Sequence, residues 1–200
     1  MATPGLTLVV TGTGRCGTGY VARVLQQAGV SAGHEEAYTA DGEFYSPGLQ
    51  ADSSWLAVPY LRSIKSRGSK VGLVYRHPAA VISSLLGINF FQNPTEYLKF
   101  AERHCPELEG LSPFDKACQF YNEWNRRALK EADFVFNIEY PAWDRMGEAL
   151  PSCSLTALAS AIPKVSQSYN HRNRSNVDPS EIHESVWNTH QMLEDAARAS

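Results

Sequence analysis

Three groups of residues in this chain carry chemistry suited to anions and protons. The first is Thr11-Gly12-Thr13-Gly14-Arg15-Cys16-Gly17-Thr18-Gly19-Tyr20, with four glycines in eight positions between an apolar run and an amphipathic one. Glycine has no Cβ, so such a loop brings backbone close to a ligand. Where the loop opens a helix, its N–H groups and the positive helix end converge on one point, which suits a phosphate. The second group is Tyr75-Arg76-His77-Pro78-Ala79-Ala80-Val81-Ile82-Ser83-Ser84. Arg76 ends a β-branched stretch, and Ser84 falls two turns into the helix that follows. A guanidinium and a hydroxyl at that spacing can reach the same phosphate. The third is His34-Glu35-Glu36, a source of general bases. Glu35 is the first choice, then Glu36, then His34, because the register is free by one residue.

Spacing separates the chemistries these residues could serve. Gly12-x-Gly14-x-x-Gly17 matches the dinucleotide fingerprint, and Glu35 stands about 20 residues on, where an acid would hold a ribose. This keeps open a Rossmann-type NAD(P)-dependent oxidoreductase. A Walker A loop needs Lys and then Ser or Thr after its last glycine, whereas Gly17 is followed by Thr18 and Gly19, so the ATPase reading lacks its lysine. A phosphatase-type thiolate at Cys16 would need arginine at the position held by Ala22. Cys16 is therefore set aside as a nucleophile, although a helix start would lower its pKa. The side chains of His34, Glu35 and Glu36 diverge and no remote ligand joins them, so no metal is expected.

Arg15-Cys16-Gly17-Thr18 after a buried strand, together with Arg76 and Ser84, resembles the sulfotransferases that use 3′-phosphoadenosine 5′-phosphosulfate (PAPS). Tyr121-x-x-Trp124-Asn125 and Phe136-Asn-Ile-Glu139-Tyr140 are similar to the family's tryptophan helix and to its later strand ending in an acid. Three departures are visible. Arginine replaces the loop lysine, Gly19 stands where a second threonine is common, and the C-terminal Arg-Lys-Gly segment is missing, with His171-Arg172-Asn173-Arg174 as its candidate substitute. The resemblance implies a P-loop nucleotide-kinase-like fold and sulfuryl transfer from PAPS to a hydroxyl or amine. It makes Gly14, Arg15, Cys16, Gly17, Thr18 and Gly19 the 5′-phosphate loop, with Arg15 donating to the bridging oxygen. Arg76 and Ser84 become the 3′-phosphate site, joined by Arg172 and Arg174, and the base is Glu35, Glu36 or His34. A small-molecule or saccharide-like acceptor is implied. A noncatalytic nucleotide-binding protein remains a further reading.

Positioning these groups falls to one α/β domain spanning residues 1–200. Short apolar stretches alternate with amphipathic ones, which predicts three layers: a central parallel sheet flanked by helices. Strands are expected over 6–10, 30–32, 71–75 and 134–138, and helices over 18–28, 78–86 and from 113. A last helix is expected from Asp178. Residues 33–50 form the acceptor loop region. Trp55 and Tyr60 are read as packing residues beneath it, and His104, His183 and His190 as surface residues. Hydrophobic residues make up 43% and charged residues 20%, the profile of a folded globular chain. The net charge of −3 gives no reason to expect nucleic acid or a membrane as partner. Within it, Arg62, Lys65, Arg67, Lys70 and Arg76 form an acid-free basic stretch, and Lys164, Arg172 and Arg174 a second, which together could serve one anionic ligand. Without a secretory signal or a long apolar run, the expected location is cytoplasmic.

Overall fold

Apolar, β-branched stretches buried on both faces pair as parallel strands that helices cover on either side. A computed structural model, which describes residues 6–41, 48–150, 153–165 and 175–200, has this α/β architecture. Strands β1 (Leu8–Thr11), β2 (Ala32–His34), β3 (Ala51–Ser53), β4 (Lys70–Tyr75) and β5 (Phe134–Asn137) form one parallel sheet in the order β2-β3-β1-β4-β5. Side chains alternate between its faces. Val9, Val71, Leu73 and Val135 join a core with α2 (Leu61–Ser66), α3 (Pro78–Gly87), α4 (Glu96–His104), α5 (Pro113–Leu129) and α8 (Glu184–Ala199). Leu8, Val10, Val74, Phe134 and Phe136 join the opposite core with α1 (Thr18–Gln27), α6 (Trp143–Ala149) and α7 (Leu155–Ala161).

The sheet has five strands where the sequence suggested four. Ala51-Asp52-Ser53 lacks any apolar run, yet all three residues are buried because β3 lies between β1 and β2. β2 begins two residues later than expected, at Ala32. The last helix starts at Glu184 instead of Asp178: Asp178 caps a short 3₁₀ turn over Pro179–Glu181, and Ile182 is extended, which breaks the run.

The acid-free basic stretch has partners elsewhere in the chain. Lys65 and Lys70 pair with Asp133, and Arg62 with Glu131. Of that stretch only Arg76 reaches the cleft described below, and Lys164 is exposed and outside it. Among the described residues no helix is long and apolar enough to cross a membrane.

Candidate functional site

Parallel strands end on one edge of a sheet, and open α/β sheets take their ligands outside that carboxyl edge. Here Thr11, His34, Ser53, Tyr75 and Asn137 are the last residues of the five strands. A cleft of about 680 Å³ opens at this edge. Residues 14–20 line it together with His34, Glu35 and Arg76, so the three groups singled out in the sequence meet in one place.

The loop between β1 and α1 is shaped by close packing. A Cβ on Gly12 would lie 2.1 Å from the Val74 carbonyl oxygen and 2.7 Å from Cys16 Sγ, so only glycine lets the chain leave β1 against β4. Gly17 has a φ of 113°, and a Cβ there would sit 2.5 Å from Ile138. α1 starts without a side-chain cap and without an acid in its first turn, as do α2 and α3, whereas Thr95, Ser112 and Ser154 cap α4, α5 and α7. An uncapped first turn leaves N–H groups for an external anion.

Cys16 is fully buried inside the loop. Burial pushes its thiol up to about 12, against the opposing pull of backbone N–H groups, Arg76 and Arg15. The lowering expected from the helix start is thus overwhelmed, and only the backbone of Cys16 is suited to ligand binding. Arg15 and Arg76 both line the cleft.

Arg15 has a φ of 74°, and its Nε donates to Ser84 Oγ at 2.9 Å. Ser84, buried on α3, therefore stands behind Arg15 and outside the lining of the cleft. Arg76, at the end of β4, has its carbonyl held by the Tyr121 hydroxyl at 3.2 Å. That hydroxyl also meets His190 Nδ1 at 3.2 Å, so His190, read as a surface residue, is instead buried in α8 and supports the strand end. Arg172 and Arg174 lie outside the described residues. The chain resumes at Ser175, whose N–H donates to the Ser83 carbonyl at 3.1 Å on α3.

Of the three candidate bases, His34 and Glu35 line the cleft, while Glu36 is exposed and outside its lining. Glu35 has a φ of 60° and its carboxyl is raised to about 7. Burial is the main cause, followed by the negative charge of Asp52; Arg15 and the Trp55 side-chain hydrogen bond pull the other way. His34 Nε2 lies 3.5 Å from Glu35 Oε1 and 3.3 Å from Thr18 Oγ1. Burial, and then the charges of Arg15 and Arg23, lower its pKa, so it is neutral at physiological pH.

Several residues of the site escaped the sequence reading. Trp55 opens the 3₁₀ turn Trp55–Tyr60, whose cap Ser54 has its carbonyl held by Thr11 Oγ1 at 2.8 Å. Trp124 Nε1 donates to the Trp55 carbonyl at 2.9 Å. Trp55 is thus a packing residue, as expected, and also a partner of Glu35. With Phe90 and Tyr97, at ring-centroid distances of 5.9 and 6.0 Å, it builds an aromatic wall beside that carboxyl. Tyr20 and Trp143, 6.4 Å apart, line the flank near Gly17. An aromatic residue in a short sequence carries no mark of which wall it will join. Among the described residues no group of three or more His, Cys, Asp or Glu could hold a metal. No protein-family model matches the chain, and no curated protein matches it.

Proposed function

We propose that this chain is a sulfotransferase with a P-loop-like site, moving the sulfuryl group of PAPS to a hydroxyl or amine acceptor by in-line displacement. The observation that carries the reading is that an uncapped glycine-rich helix start, two arginines and one carboxyl of raised pKa line a single cleft. Two anion-binding elements suit a donor with phosphate at both its 5′ and 3′ positions. Sulfuryl transfer, like phosphoryl transfer, asks the protein mainly for alignment and charge stabilisation.

The backbone N–H groups of Gly17, Thr18 and Gly19 and the Thr18 hydroxyl hold the 5′-phosphate. Arg15 donates to the bridging oxygen as charge grows on it, and Arg76 holds the 3′-phosphate. Ser84 orients Arg15 by accepting the hydrogen bond of its Nε. Glu35 takes the proton of the acceptor as the new sulfur–oxygen or sulfur–nitrogen bond forms and the bond to the bridging oxygen breaks. The products are a sulfate ester or sulfamate and adenosine 3′,5′-bisphosphate. A base that titrates near neutral pH is well matched to this task. The aromatic wall beside Glu35 offers its rings to the unreactive face of a small-molecule or saccharide-like acceptor.

The oxidoreductase reading fits less well. Dinucleotide-binding sheets run 3-2-1-4-5-6, with β2 beside β1, whereas here β3 separates them. An acid that holds a ribose works as an open, ionised acceptor, and Glu35 keeps its proton until about pH 7.

A thermal-shift panel tests the proposal. A ligand at 100 times its dissociation constant stabilises by about 2.7 kcal/mol. Adenosine 3′,5′-bisphosphate is expected to raise the melting temperature and NAD and Mg-ATP to leave it unchanged, with Arg76→Ala abolishing the shift. A larger shift with NAD, or an undiminished bisphosphate shift in Arg76→Ala, refutes the reading. Transfer of labelled sulfate from PAPS separates an enzyme from a noncatalytic binder.

A further inference from the structure

Asp52 occupies the middle of β3, paired in register between Gly33 of β2 and Val9 of β1, and is fully buried. A carboxylate in the interior of a sheet is costly unless its oxygens are satisfied. One of them is: Asp52 Oδ1 accepts the N–H of Glu36 at 3.3 Å. The other, Oδ2, is buried and has no hydrogen-bond partner. Gly33 leaves the room for this arrangement, since a Cβ there would lie 2.6 Å from Asp52 Oδ1. The accepted N–H belongs to the residue after Glu35, so the carboxylate sits beneath the turn in which Glu35 adopts its left-handed backbone.

We propose that Asp52 is a positioning residue for Glu35: from beneath the turn it fixes that carboxyl in the cleft and faces it with a negative charge. This rests on the reading of Glu35 as the proton acceptor. A purely structural duty does not require a charge here, because an amide or a hydroxyl accepts the Glu36 N–H equally well without the burial penalty of an ion. Among the described residues, the groups facing Glu35 are Asp52 from β3, His34 from β2, Arg15 from the loop, Trp55 from the 3₁₀ turn and Tyr97 from α4. Of these only Asp52 brings a negative charge at neutral pH. Asp52 itself faces Glu36, Tyr38 and the N–H groups of Glu36, Ala37 and Ser53. Its own carboxyl is raised to about 6, first by burial, so at neutral pH it is largely ionised beside Glu35.

The test is the titration of Glu35 in the whole protein, followed through its side-chain carboxyl carbon by NMR and assigned by its loss in Glu35→Gln. In Asp52→Asn, which keeps the shape and the hydrogen bond, the midpoint is expected to fall by about one pH unit, a tenfold loss of proton affinity. Asp52→Ser, smaller and still an acceptor for the Glu36 N–H, gives the same comparison if the amide disturbs folding. The pH profile of labelled sulfate transfer is expected to move with the midpoint. An unmoved midpoint in a folded variant overturns the inference, as does a midpoint in the native protein within the ordinary glutamate range. A midpoint that falls while the pH profile of transfer stays fixed supports the electrostatic role of Asp52 and refutes Glu35 as the base.

Discussion

Replacing Glu35 by glutamine is expected to stabilise the protein above neutral pH while it stops transfer. Glu35 ionises at 4.5 in an open chain and at about 7 in the fold. Between those values the unfolded chain has released a proton that the native protein still holds. The slope of stability with pH follows protons bound by the unfolded state minus those bound by the native state, which here is negative. The native protein therefore loses stability as pH rises from 4.5 to about 7, and the loss is complete above that. A difference of about 2.5 pH units corresponds to about 3 kcal/mol. The side chain of Glu35 is 20% exposed, so little of this is screened by solvent. Asp52 titrates in both proteins and largely cancels from the comparison. Glutamine keeps the size and the acceptor oxygen facing Trp55 but has no charge to bury. Urea midpoints of native protein and Glu35→Gln, measured from pH 4 to pH 8, are expected to lie close together at the acid end and diverge toward the alkaline end. The variant should gain roughly 6 to 12 °C in melting temperature at pH 8, at about 2 to 4 °C per kcal/mol for a chain of this size. Transfer should drop by about 10² to 10⁴-fold, and native activity should rise with pH through about 7 as the base form accumulates. Stability curves that stay parallel across this range refute the buried-carboxyl argument, whatever the activity does.

Gly12→Ala places a Cβ 2.1 Å from a backbone oxygen of β4, a clash no side-chain rotation relieves, and should cost about 3 kcal/mol in urea unfolding. A loss below about 0.5 kcal/mol means the loop leaves β1 differently. Cys16, with its thiol raised to about 12 and no exposed surface, should resist iodoacetamide at pH 8 until the protein unfolds. Rapid alkylation of the folded protein at that position contradicts the loop geometry. Tyr121→Phe removes the hydroxyl shared by the Arg76 carbonyl and His190, and should cost about 1 to 3 kcal/mol of stability. Its affinity for adenosine 3′,5′-bisphosphate should fall several-fold; unchanged affinity confines Tyr121 to a packing role.

The parts of the site legible in the sequence are those whose chemistry is local. Glycines around a helix start, and an arginine at the end of a β-branched stretch, declare their geometry through spacing alone, and the cleft unites them. The register after β2 is free by one residue in the sequence, and the fold puts both His34 and Glu35 in the cleft, Glu35 with a left-handed backbone, while Glu36 is exposed outside its lining. What stayed illegible depends on contacts between distant segments. Ala51-Asp52-Ser53 shows no strand periodicity, and its burial comes from its place between two other strands. Ser84 reads as a phosphate ligand on its helix, yet its hydroxyl is taken up by Arg15, 69 residues away in sequence. His190 reads as a solvent-facing polar residue of an amphipathic helix, but α8 packs it against Tyr121.

Some of the costs accepted by this fold fall at the cleft. Among the described residues only Arg15, Glu35 and Asn89 combine a side chain with a positive φ, and two of the three line the cleft. A left-handed conformation costs such a residue of the order of 1 to 2 kcal/mol. Glu35 adds the burden of a buried carboxyl, and Asp52 beneath it adds a second, with one oxygen unpaired. Neither the sheet nor its two cores require any of these features, since a glycine in the turns and neutral residues at 35 and 52 would serve packing better. Strain and buried charge therefore coincide with the cleft proposed above for anion binding and proton transfer. At that same edge Arg15, in the loop after β1, and Arg76, just past β4, supply the positive charge that an anionic ligand requires.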